Sequence, residues 1–173
     1  KNELSIAFDK NCRRVNYARV RRLREVVFKK VYSRFLQNIP SGFEAFCRKN
    51  DYWLTDFSEY MSKDGSDALY HKMLQFFAFE QWHCLKEYAN SQGVEIIGDI
   101  PIYVAAESAD VAYNPDVFLL DEKGRPRVLA GCPPDDFAKS GQLWGNPVYN
   151  WEKLRQNKYD WWVKRLAHNS ELF

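Results

Sequence analysis

The sequence predicts an α/β fold, and three observations carry that prediction. Residues 67 to 91 repeat Tyr70, Leu74, Phe77, Cys84, Leu85 and Tyr88 at helical spacing on one face, with Phe76, Phe79 and Trp82 on another. A helix that apolar is buried on more than one side. Gly93 then offers the left-handed residue that ends a helix. The run that follows, Val94-Glu95-Ile96-Ile97-Gly98-Asp99-Ile100, is short and β-branched and reads as a buried parallel strand. Helix, glycine and strand in that order is the rhythm of α/β proteins. With 173 residues, 46% hydrophobic and 16% aromatic, the chain can bury a sizeable core, and its length suits one domain.

Before the long helix, the first sixty-odd residues read as a small helical layer. Asn16 is a good N-cap, and Pro40 cannot continue a helix, which bounds the first helix between them. Ser41 and Glu44 have the spacing of a capping box for a short second helix bearing Phe43, Phe46 and Cys47. A loop and a third short helix, Trp53 to Met61, follow, and Lys63 to Ser66 is a polar break.

Past Pro101 the pattern turns irregular. Residues 107 to 115 read as loop, and 117 to 130 as a hairpin turning at Asp121-Glu122-Lys123-Gly124. A long Gly- and Pro-punctuated loop, 131 to 147, precedes a last helical stretch from about Trp151 to His168. Long aperiodic loops inside compact domains are usually functional or disordered. Phe137, Leu143, Trp144 and Tyr149 run against the polar bias of disorder.

Charge and cysteine usage narrow the function classes. Residues 1 to 60 hold 13 Lys/Arg against 7 Asp/Glu, and residues 61 to 173 hold 12 against 16. From Asp9 to Arg34 there are ten basic residues and two acids. Such a run can grip phosphates. Tyr17, Val20, Leu23, Val27, Val31 and Phe35, however, recur three and four residues apart, which makes the basic side chains the solvated face of a helix. No nucleic-acid partner is expected. Cys12, Cys47, Cys84 and Cys132 are scattered without a Cys-x-x-Cys pair or a His at ligand spacing. Neither a metal site nor a disulfide framework is indicated, and free thiols suit a cytoplasmic protein. No stretch approaches the ~20 apolar residues of a membrane span, and Lys1 opens a polar segment unlike a signal peptide. No Gly-rich phosphate loop is present, so no cofactor is expected.

Two places can carry chemistry. Asp99 ends the predicted strand, where α/β barrels and open sheets gather their ligands; the other reading is a carboxylate that caps a helix or anchors a loop. The loop Cys132 to Pro147 mixes aromatic rings with amides and carboxylates. A pyranose has an apolar C–H face that stacks on an aromatic ring and a hydroxyl rim that pairs with amides and carboxylates. Trp144 would be the platform, with Gln142, Asn146 and Asp135 as rim partners. The same aromatics also suit a loop that merely plugs the body of the protein. His71, His83 and His168 stand isolated in helical stretches and read as structural.

Two stretches carry a resemblance. They are Gly98-Asp99-Ile100-Pro101-Ile102-Tyr103-Val104 with Ser108-Ala109-Asp110-Val111, and Ala130-Gly131-Cys132-Pro133-Pro134-Asp135 with Gly141-Gln142-Leu143-Trp144-Gly145-Asn146-Pro147. Both resemble signature segments of the 4-α-glucanotransferases of glycoside hydrolase family 77, the amylomaltases or disproportionating enzymes. Asn114-Pro115, Gly124-Arg125-Pro126, Tyr149-x-Trp151 and Tyr159-Asp160-Trp161-Trp162 fit in order and spacing over residues 85 to 173, and residues 1 to 65 fit in character. The resemblance implies part of a (β/α)8 TIM barrel over 66–173, a helical insertion subdomain over 1–65, and a glucan-binding flap at 131–147.

It further implies transfer of an α-1,4-glucan segment to the 4-hydroxyl of an acceptor by a retaining double displacement, on maltooligosaccharides and other α-1,4-glucans. Asp99 matches a supporting active-site aspartate. Asp135, Phe137, Gln142, Trp144 and Asn146 fall in the substrate-contacting flap. Ala112 stands where many relatives carry Trp, and Asp136 where some carry Tyr. The nucleophile's Arg-x-Asp segment and the acid/base glutamate are expected beyond Phe173, so the 173 residues alone are expected to be inactive. The alternative is a non-catalytic α-glucan-binding module.

Overall fold

The computed structural model describes residues 14–173, so Asp9, Lys10, Cys12 and Arg13 of the basic and cysteine readings lie outside the described residues. The chain divides into two compact units, Lys1–Lys49 and Asn50–Phe173.

In the first unit, helix α1 (Tyr17–Gln37) starts as expected: the Asn16 side chain accepts from the Arg19 N–H at 3.0 Å. Its apolar stripe narrows onto Phe35, which is buried and meets Phe43 edge-on at 4.9 Å. The basic residues lie outward, and Lys29 pairs with Glu25 at 3.0 Å one turn earlier. Ion pairs this exposed add only about 0.3–0.5 kcal/mol.

Helix α2 (Phe43–Met61) is a single helix where two short ones with a loop between were expected. Within it, Asn50 and Asp51 carry short polar side chains of the kind that compete for backbone hydrogen bonds. Here they bond elsewhere. The Trp53 indole donates to Asn50 Oδ1 at 3.0 Å, and the Thr55 hydroxyl donates to Asp51 Oδ1 at 2.7 Å. Their side chains are satisfied one turn on, and the helical ladder is left intact. A 3-10 turn, Ser62–Asp64, and Gly65 at φ 88° form the polar break.

Helix α3 (Ala68–Ser91) is capped by Asp67, which accepts from the Leu69 N–H at 2.9 Å. It ends as a Schellman motif: Gly93 N–H to Asn90 O and Val94 N–H to Ala89 O are both 3.0 Å, with Gly93 at φ 75°. Met73 and Phe76 are buried, whereas Leu85 and Tyr88 on the predicted apolar face are exposed. The far half of that face is therefore not covered by the described residues.

The run Val94–Ile100 forms no strand, which corrects the sequence reading. A strand exists only by its ladder to a neighbour, and among the described residues no parallel partner stands beside this one. Ile97 is 93% exposed in consequence. Among the described residues the only sheet is antiparallel, β1 (Leu129–Cys132) with β2 (Gln142–Pro147), which runs from the end of the expected hairpin through the stretch read as aperiodic loop. The predicted turn at Asp121–Gly124 is present, with Gly124 at φ 72° and Arg125 forked onto the Asp121 carboxylate at 2.8 and 3.0 Å. Its arms meet only at the single bridge Leu120 to Pro126.

After the short helix α4 (Ala109–Tyr113) and a 3-10 turn (Pro115–Val117), the C-terminal helix comes as two pieces, α5 (Trp151–Gln156) and α6 (Asp160–Leu172). The break is again a Schellman closure, Tyr159 N–H to Leu154 O at 2.7 Å and Lys158 N–H to Arg155 O at 3.0 Å. Lys158 and Tyr159 take φ of 54° and 59° with no glycine to advertise it. The core that seats the site is Val111, Val117, Phe118, Tyr149 and Leu154, with Tyr103, Val104, Trp161 and Trp162 packed against it.

Candidate functional site

The stretch expected to be a flap is a bulged hairpin. Leu129 pairs with Pro147 and Gly131 with Leu143, so two extra residues enter β2 between these pairs. Gly145 absorbs them at φ 81°. A bulge re-aims the side chains on either side of it, and the candidates divide accordingly. Ahead of Gly145, the Trp144 indole N–H donates to Gln142 Oε1 at 3.1 Å, which fixes both side chains on one side of the strand. After it, Asn146 turns inward and its amide nitrogen donates to the Val104 carbonyl at 2.8 Å. Across the hairpin, a Cβ on Gly131 would strike the Gln142 carbonyl, so glycine there permits the close approach.

The loop joining the strands is held by Asp135. One carboxylate oxygen accepts from the backbone N–H of Phe137 at 3.0 Å and of Ala138 at 2.6 Å, an Asx-type turn. The turn leaves the Phe137 ring 98% exposed, with Leu143 and Trp144 also exposed nearby in sequence. Three large apolar side chains on one small hairpin thus stand open to solvent. Trp144 rests against Tyr103, ring centres 6.1 Å apart, and Tyr103 stacks on the buried Tyr149 at 5.8 Å and 12°. The platform is thus continuous with the core.

Asp99 lies apart from the hairpin in contacts but joins it through the chain, five residues before Val104. Its side chain is exposed, and Oδ1 accepts from the next residue's N–H, Ile100, at 2.7 Å. Its carbonyl accepts from Asn169 Nδ2 at 3.0 Å. The structure therefore brings Gln142 and Trp144 together, gives Asp135 and Asn146 work in holding backbone, and leaves Asp99 on a segment shared with Tyr103 and Val104.

Electrostatics concentrate behind this segment. The Arg165 guanidinium sits 4.6 Å from the Trp161 ring centre and 4.8 Å from that of Trp162, and its Nη2 donates to the Pro101 carbonyl at 2.9 Å. Its Nη1 is buried without a hydrogen-bond partner among the described residues. Burial raises the Asp110 carboxyl above the ordinary carboxylate range, and the nearby Arg165 charge only partly offsets this. Burial likewise pushes the Tyr149 phenol up to about 12. That proton stays on at any physiological pH, so the phenol is a permanent donor, here to the Ile102 carbonyl at 2.7 Å.

A cavity of about 240 Å³ opens beside Arg165, lined by Tyr52, Trp53, Asp56, Asp110, Trp161 and His168 among others. It holds none of the residues expected from sequence to touch substrate. His168 accounts for itself in its wall, since its Nδ1 and the Tyr52 hydroxyl share a 2.9 Å hydrogen bond, and His71 similarly meets the Ser66 hydroxyl at 2.7 Å. Among the described residues no group of three or more His, Cys, Asp or Glu is placed to hold a metal ion, and no helix is long and apolar enough to cross a membrane.

Exposed tryptophan and phenylalanine rings and an amide on one hairpin, with Trp144 joined through Tyr103 to an aromatic core, are residue types that suit a pyranose's C–H face and hydroxyl rim. The chain belongs to glycoside hydrolase family 77, whose model, described as 4-alpha-glucanotransferase, matches residues 59–173. It is 36% identical to a 4-alpha-glucanotransferase of Streptococcus pneumoniae over 97% of its own length and 40% of that protein. A Synechocystis 4-alpha-glucanotransferase is 38% identical over 90% of the chain and 38% of the relative. Among solved structures, an amylomaltase from Streptococcus agalactiae in complex with acarbose superposes with a TM-score of 0.85 at 31% identity, covering 98% of this chain and 43% of that one. The chain thus spans about two-fifths of the length of these relatives.

The residues that sequence reasoning missed are the ones behind the site: Tyr103, Tyr149, Arg165 and Asn169. Tyr149 and the Trp161-Trp162 pair stood in segments that carry the resemblance, but nothing in their spacing revealed that side chains there reach back to carbonyls more than forty residues earlier.

Proposed function

We propose that the protein containing this chain is a 4-α-glucanotransferase. It cleaves an α-1,4 bond in a maltooligosaccharide or longer glucan and passes the donor segment to the 4-hydroxyl of an acceptor sugar, in the cytoplasm. The observation that carries this reading is the bulged hairpin, which presents Trp144 and Phe137 to solvent with Gln142 bonded to the indole that it orients. Trp144 stacks on a pyranose face, Gln142 meets its hydroxyl rim, and Phe137 closes over the glucan from the loop that Asp135 shapes. Asp99 accepts from sugar hydroxyls near the scissile bond. Bonds to a charged acceptor are worth about 1.5–3 kcal/mol each, and those that tighten as the ring flattens lower the barrier.

Residues 66–173 form part of a (β/α)8 barrel in the whole protein, and residues 1–65 belong to a helical insertion. Relatedness to the amylomaltase supports this placement. The mechanism is a retaining double displacement, which needs a nucleophile and an acid/base carboxyl ~5 to 5.5 Å apart. The site residues described above include no such pair.

Incubation of the full-length protein with maltotriose tests the reading. Transfer yields glucose together with maltooligosaccharides longer than the substrate, and Asp99→Asn lowers kcat by one to two orders of magnitude, roughly 1.4 to 3 kcal/mol, with the melting temperature unchanged. No longer products from the unaltered protein, or a destabilised but fully active Asn variant, would overturn it.

A further inference from the structure

The segment from Asp99 to Val104 has no regular secondary structure, and among the described residues no backbone–backbone hydrogen bond engages any residue between Val94 and Ser108. Four of its six carbonyls nevertheless accept from side chains much later in the chain. Asn169 Nδ2 donates to Asp99 O at 3.0 Å, Arg165 Nη2 to Pro101 O at 2.9 Å, the Tyr149 hydroxyl to Ile102 O at 2.7 Å, and Asn146 Nδ2 to Val104 O at 2.8 Å. Backbone polar groups near a core must find partners, and here the partners are chosen residue by residue instead of by a ladder.

The four donors come from two sources. Asn169 and Arg165 lie one turn apart on α6 and take the Asp99 end. Tyr149 and Asn146 belong to the β2 side and take the Val104 end, where Tyr103 touches Trp144. Each source is itself fixed. The end of α6 is held by α3, with the Trp82 indole donating to Leu172 O at 2.9 Å, and Phe173 lies so close to Gly98 that a Cβ there would strike its ring. Arg165 is held between two tryptophan faces, and Asn146 is aimed by the bulge at Gly145.

We propose that Asn169, Arg165, Tyr149 and Asn146 are positioning residues: a clamp on the 99–104 carbonyls that sets the Asp99 carboxylate at one end and the Trp144 platform at the other. The assignment rests on the reading above, in which Asp99 acts in the transition state and Trp144 in glucan binding. Its consequence is a separation of effects by end. Loosening the α6 end misplaces a group whose bonds strengthen in the transition state, so kcat falls. Loosening the β2 end misplaces a stacking surface used equally in ground and transition states, so KM rises.

The test uses the full-length protein, maltotriose kinetics and native-state proteolysis. Asn169→Ala lowers kcat about 5- to 10-fold with KM within about twofold, and Asn146→Ala raises KM about 5- to 10-fold with kcat within about twofold. In an Asp99→Asn background, Asn169→Ala adds no further loss of kcat, because residues acting through one group are not additive. Proteolytic cleavage within residues 98–104 under native conditions accelerates at least about tenfold in Asn169→Ala, a readout independent of catalysis. Variants that only melt earlier, with kcat, KM and cleavage rate at their unaltered values, overturn the clamp; so does an undiminished Asn169 effect in the Asp99→Asn background. If Asp99→Asn and Trp144→Ala leave turnover and affinity untouched, the functional reading fails instead, and the cleavage rates alone decide whether the segment is clamped.

Discussion

Removing the Trp144 ring should weaken glucan binding far more than it slows a bound turnover. Trp144 is 48% exposed. A tryptophan buries up to ~250 Å² when fully covered, so about 120 Å² is open, and a pyranose lying on one face covers roughly half of that. At ~25 cal/mol per Å², covering about 60 Å² stabilises the complex by about 1.5 kcal/mol, or roughly tenfold in affinity. The ring pays little ordering entropy on binding, because Gln142 already holds its indole N–H and Tyr103 supports it from behind. Trp144→Ala in the full-length protein is therefore expected to raise KM for maltotriose about tenfold and to change kcat by less than about threefold. Isothermal titration of a non-hydrolysable oligosaccharide should return the same factor. A large fall in kcat at constant KM would refute the reasoning, since the contact would then form only in the transition state.

Two further outcomes follow from the core and its charges. Leu154 is 1% exposed among Val111, Val117, Phe118 and Tyr149, so Leu154→Ala should destabilise this unit by about 2–5 kcal/mol in urea titrations followed by tryptophan fluorescence. A loss below about 1 kcal/mol would mean that the site collapses around the missing side chain. Burial raises the Asp110 carboxyl pKa, so the folded state binds that proton more tightly than the unfolded chain. Its contribution is present below the unfolded value near ~4 and is lost as pH rises through the folded value. Asp110→Asn should accordingly raise the melting temperature at pH 7, with the gain vanishing below about pH 4; an unchanged or lowered value at pH 7 would show that the pairing with Arg165 outweighs the burial.

Local signals in the sequence were enough for what depends on neighbours in the chain. Asn16, Asp67 and Gly93 bound helices because a cap or a left-handed turn needs only residues a few positions away, and α1 and α3 stand where those residues put them. The aromatic and amide make-up around Trp144 was likewise legible, because side-chain chemistry does not wait for the fold. Tertiary structure decided the rest. Whether Val94–Ile100 is a strand depends on a partner that no local pattern contains. Asn50 and Asp51 lie within one continuous helix, where Trp53 and Thr55 donate to their side chains. Lys158 and Tyr159 break the last helix with residues that carry no turn signal. That the Asn146 amide, past the bulge at Gly145, donates to the Val104 carbonyl was not legible, and the donors to Asp99, Pro101 and Ile102 come from more than forty residues downstream. Spacing along a chain reports which residues share a helix face or a strand edge. It does not report which carbonyls, left without a ladder, a distant side chain will reach.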